Sequence, residues 1–141
     1  EHFQIKYTAG NEQGASTVAQ AAESAYAPVS DLLGFSPRQK VLILVHPDKD
    51  HLNQAFGWTN GQGAMGVYWG GVIQVLSPDA WRKNISVDEF IQQGPVLHEY
   101  THLVFDYMER GNYPRWFTEG LAMFMNTDNK FGFVDNTIKS F

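Results

Sequence analysis

Two histidines four residues apart flank a glutamate in His98-Glu99-Tyr100-Thr101-His102. On a helix such a pair is separated by only about 40° around the axis, so both imidazoles can reach one ion. Glu99 is turned by about 100° from His98, close enough to act on a ligand of that ion without being one. Glu119 follows, separated from His102 by the sixteen residues Leu103 to Thr118. Two histidines and a carboxylate, with a fourth position left for water, are the donors of a catalytic zinc rather than a structural one. The expected metal ligands are therefore His98, His102 and Glu119, the expected cofactor is Zn2+, and Glu99 is the expected general base.

These residues need particular elements to bring them together. Val96, Leu97, Tyr100, Leu103, Val104, Tyr107 and Met108 form an apolar stripe over a helix from Pro95 to about Glu109, centred opposite the two histidines. Gly111 is placed to end that helix and Pro114 to begin the next, which runs to about Met125 and carries Glu119 back against the first. Upstream, Ala64 to Trp69 and Val72 to Leu76 read as strands joined by Gly70-Gly71, a pair suited to a tight hairpin. His2 to Tyr7 alternates like a half-buried strand, and Ser16 to Leu33 has helical spacing, with Pro28 near its middle and Gly34 as its stop. Val41 to Val45 is a continuous apolar run, expected as a strand covered on both faces. Asp48 can cap a short helix through about Phe56, before a loop marked by Gly57, Asn60, Gly61 and Gly63. Ser77-Pro78 closes the hairpin unit, and Ser86 with Glu89 has the spacing of a capping box.

His98-Glu99-x-x-His102 followed by Trp116-x-x-Glu119-Gly120-x-Ala122 resembles the gluzincin metallopeptidases, especially the compact peptidase-MA-like and minigluzincin proteins. The resemblance extends more loosely over about Ala64 to Met125. It implies an α+β, zincin-like fold: a small mixed sheet whose hairpin edge strand packs on the active-site helix, followed by the glutamate-bearing helix. It assigns zinc to His98, His102 and Glu119 and proton transfer to Glu99. It also implies that an extended peptide pairs antiparallel to the edge strand, along Ala64, Met65, Gly66, Val67 and Tyr68. Gly66 stands where aminopeptidases of the clan carry a glutamate that reads a free amino terminus, which favours an endopeptidase. Met123 stands where thermolysin-like members place an aspartate, so partners for the imidazoles are not assigned.

The expected substrate is a peptide or unfolded protein. A catalytically inactive or latent zinc-binding module of the same fold, and a hydrolase of a non-peptide amide or ester, are the alternatives. Tyr113, Arg115 and Tyr68 are the nearest residues that could stabilise an oxyanion, each more often a packing or surface residue. His2, His46 and His51 form no i, i+4 pair. Asn84-Ile85-Ser86 has the form of a glycosylation acceptor. The 141 residues suit one domain, and 43% apolar with 18% charged residues is the make-up of a globular protein. A formal charge of -5 without a basic run speaks against nucleic acid, and the absence of cysteine excludes thiolate sites. No stretch approaches the length of a membrane span. A monomer is expected, with an extracellular or cell-envelope setting placed ahead of a cytoplasmic one. The short stretch after Glu119 is expected to be either a last packed element or a segment lying across the cleft.

Overall fold

The structure, a computed structural model, describes residues 1–57, 64–110, 112 and 114–126. Alternating residues form β1 (Phe3–Tyr7), which buries Phe3 but leaves Tyr7 exposed. The long helix α1 (Glu12–Leu33) crosses Pro28 without a break and ends at Gly34, whose φ of 63° supplies the left-handed cap. It begins four residues before the expected Ser16. Gly14 lies in its first turn, where a Cβ would stand 2.5 Å from Ser77 Oγ. That hydroxyl donates to Asn11 Oδ1 at 2.8 Å, so the start of α1 is set by a contact 66 residues away in sequence.

The apolar run forms β2 (Val41–His46), parallel to β1. Val41, Ile43 and Val45 are buried, whereas Leu42, Leu44 and His46 are half-buried, so the strand expected to be covered on both faces is covered fully on one and in part on the other. Val41, Ile43 and Val45 share the core with residues of α1, and Leu42 and Leu44 lie outside that cluster. The short α2 (Lys49–Ala55) packs against β2 and buries Leu52, its start capped by Asp48, which accepts from the His51 N–H. Asn60, Gly61 and Gly63 lie outside the described residues.

A hairpin completes the sheet. β3 (Gly66–Trp69) and β4 (Val72–Leu76) are antiparallel and joined by Gly70 and Gly71, with φ of 58° and 86°. Positive φ at both central residues is the type I′ geometry that matches strand twist, and it favours glycine at each. β4 adds parallel to β2, giving the order β1-β2-β4-β3 and leaving β3 at an edge. The expected strand from Ala64 is shorter at its start, although Met65 C=O still accepts from the Leu76 N–H at 2.9 Å.

Ser77-Pro78 does not simply close this unit; it opens the short helix α3 (Pro78–Trp81). The capping box at Ser86 and Glu89 is present and starts α4 (Val87–Gln93). α5 (Val96–Glu109) and α6 (Arg115–Asn126) complete the described chain. α1 and α5 pack on each other, and the core joins Val18, Ala22 and Val29 to Ile43, Ile73 and Val75 of the sheet and to Tyr100, Leu103 and Val104 of α5. α6 packs chiefly on α5. The architecture is a small α+β fold with a four-stranded mixed sheet and, among the described residues, six helices. No helix among the described residues is long and apolar enough to cross a membrane.

Candidate metal centre

The core anchors α5 by one stripe, with Val96, Tyr100, Leu103 and Val104 at 0–1% exposure. Tyr107, expected in that stripe, is exposed and closes on the hairpin instead, its hydroxyl 3.5 Å from Gly71 O. α5 ends at Arg110, which takes the left-handed conformation with φ of 53°; Gly111, the expected stop, lies outside the described residues, as do Tyr113 and residues 127–141. α6 returns along α5 and inserts Thr118 and Ala122, one turn apart, as buried residues. Glu119 follows Thr118 and is thereby aimed at the two histidines.

The three donors converge. His98 Nε2 and His102 Nε2 are 3.1 Å apart. Glu119 Oε2 is 3.5 Å from His98 Nε2, and its Oε1 is 3.5 Å from His102 Nε2. Those two contacts use different oxygens of Glu119, and with one donor atom from each residue the three lie within 4.8 Å of one another. Bonds of about 2.0–2.1 Å at tetrahedral angles would place such donors about 3.3 Å apart, so the residues could hold a small divalent ion once the set closes around it. His98, His102 and Glu119 are also the one group of three or more potential ligands gathered among the described residues. The chemistry of the donors agrees: burial pushes both imidazoles below the usual histidine value, the neighbouring His98 adds to this at His102, and the Glu119 carboxylate opposes it at both. Each is thus biased toward the neutral form that a ligand requires.

His102 has a further partner. Its Nδ1 lies 2.7 Å from Thr118 Oγ1, and both residues are buried. His98 Nδ1 makes no such bond among the described residues. Sequence reasoning missed Thr118. Its signal is present in hindsight: a hydroxyl residue occupies the buried stripe of α6 immediately before the glutamate.

Glu99 sits between α5 and the edge strand. Burial raises its carboxyl to about 7, the Coulombic effect of Glu119 adds to this, and the Tyr68 backbone N–H against which the carboxylate lies opposes it. A group near neutrality is poised to exchange protons at physiological pH. The approach of strand to helix is permitted by Gly66, where a Cβ would stand 2.8 Å from Pro95 Cβ and 3.3 Å from Glu99 Cγ. Tyr68 is tied to α5 by its side chain as well, its hydroxyl donating to Asp106. Burial and that carboxylate keep the phenol protonated well above its usual range. The Tyr68 hydroxyl is therefore committed to Asp106 rather than to the space before the three ligands. Arg115, at the start of α6, is close enough to act electrostatically on His102.

Ala64 and Met65 precede β3, and Val67 lies within it. The register pairs Trp69 with Val72 across the turn and Val67 with Gln74, and Met65 C=O bonds Leu76. Antiparallel pairing alternates, so the backbone groups of Gly66 and Tyr68 are the ones turned away from β4. No family model, no curated protein and no solved structure matches the chain.

Proposed function

We propose that this chain is a zinc-dependent peptidase, acting as an endopeptidase on extended peptides or unfolded protein. The observation that carries this reading is the convergence of His98, His102 and Glu119, whose ligand atoms lie within 4.8 Å of one another, with a half-buried fourth group, Glu99, that is not one of the ligands. An ion held by those three residues would lower the pKa of a water toward 7 and polarise a carbonyl. Glu99 takes the proton from the attacking water and delivers it to the leaving amine, a role suited to a carboxyl raised to about 7 and brought lower again by a nearby cation.

Among the described residues no strand pairs with β3 on the side away from β4, and that side would supply the place for a peptide. Gly66 offers an N–H and a C=O, and Tyr68 a C=O, to an antiparallel extended chain, a mode of binding that reads backbone rather than sequence. The carboxylate of Glu99 stands at the same edge, next to where such a chain would pass. A zinc-binding module without catalysis is the competing reading, but it has no use for a half-buried carboxylate held beside the ligands at a cost in desolvation. The test is Glu99→Gln: zinc content is retained while cleavage of casein or a peptide library is lost. Undiminished cleavage by that variant refutes the assigned base.

A further inference from the structure

We propose that Thr118 is a positioning residue of the metal centre, holding His102 in the tautomer and ring orientation that aims Nε2 at the ion. The geometry is specific. His102 Nε2 faces His98 Nε2 at 3.1 Å and Glu119 at 3.5 Å, so its lone pair belongs to the ligand cluster. The one proton of the neutral ring must then sit on Nδ1, where Thr118 Oγ1 accepts it at 2.7 Å. Both residues are buried, at 8% and 5% exposure, so water is a poor substitute partner. The opposite tautomer would present a proton to the ion and leave a lone pair against the threonine oxygen.

Thr118 and Glu119 are consecutive on α6, so one dipeptide both orients a histidine and supplies the third ligand. Docking of α6 on α5 therefore readies His102 before any ion arrives. His98, with no partner at Nδ1 among the described residues, receives no comparable support. A hydrogen bond to the outer nitrogen also makes the imidazole a better donor, and loss of such partners costs about 10- to 100-fold in metal affinity.

The inference rests on metal binding by the three ligands and not on the reaction proposed for them. Zinc affinity is measured by competition with a chromophoric chelator on the full chain and on Thr118→Val and Thr118→Ser, with folding checked by circular dichroism. Thr118→Val, equal in size but without an acceptor, should bind zinc about 10- to 100-fold more weakly, and Thr118→Ser within about threefold of wild type. Equal affinity of wild type and Thr118→Val overturns the role of Thr118 while leaving the centre intact. Wild type that binds no zinc overturns the centre and this role together. Should Thr118→Val not fold, nitrogen-15 spectra of zinc-loaded wild type decide. A slowly exchanging Nδ1 proton on His102, alongside a fast one on His98, supports the role; equally fast exchange at both removes it.

Discussion

Glu99→Gln separates the electrostatics of the metal-free site from any question of turnover. The folded protein holds the Glu99 carboxyl at about 7, against 4.5 for the ordinary group. Between those values the native state keeps a proton that the unfolded chain has released, so stability falls as pH rises, and below 4.5 the effect vanishes. The displacement corresponds to about 3 kcal/mol of destabilisation, fully developed above pH 7. Glutamine has nearly the same shape and cannot ionise, so the variant lacks this loss. The two imidazoles act in the opposite direction: held below their ordinary value, they bind fewer protons when folded and make stability rise as pH approaches 6.5. They are common to both proteins and largely cancel in the comparison. Urea unfolding with a chelator present, at pH 4, 6 and 8, should therefore show Glu99→Gln gaining about 3 kcal/mol on wild type between the two ends of the series. Adding zinc should shrink that gain, because a nearby cation stabilises the ionised carboxylate. Parallel pH profiles for the two proteins would show that Glu99 is not desolvated in the way the structure places it.

Gly66→Ala drives a methyl to 2.8 Å from Pro95 Cβ and against Glu99. It should cost about 1–3 kcal/mol in a chelator-treated urea melt and reduce peptide cleavage while zinc affinity stays near wild type, because the ligands lie on α5 and α6. Saturating zinc, at about 100 times its dissociation constant, should stabilise wild type by about 2.7 kcal/mol in the same melts and leave His98→Ala unaffected.

Much of the site was legible because its signals are local. The i, i+4 histidines, the interposed Glu99, and a proline-started second helix bringing Glu119 back all depend on spacing along the chain. The same is true of the Ser86–Glu89 capping box and of the double glycine at Gly70-Gly71. The mixed sheet with a hairpin at its edge also agrees with expectation. What escaped depends on partners distant in sequence. α1 starts early because Gly14 packs beside Ser77, a contact no window around Glu12 contains. α3 is a single turn, shorter than one amphipathic period can reveal. Thr118 meets His102 only once α6 lies on α5, and Gly66 reads as an edge-strand and substrate residue until Pro95 is seen against it. The partial cover of β2's second face is not legible, because an unbroken apolar run cannot tell full cover from partial cover.

The position of Glu99 against the Tyr68 N–H bears on solubility. An open strand edge is a template on which a second copy can add, and association of that kind leads to aggregates. Two β3 strands meeting antiparallel would pair Gly66 of one with Tyr68 of the other, each Tyr68 N–H donating to a Gly66 carbonyl. Glu99 is close enough to this N–H for it to lower the carboxyl's pKa, and an ionised carboxylate there would repel the incoming oxygen. An ionised Glu99 would thus discourage a second copy from adding at this four-residue strand.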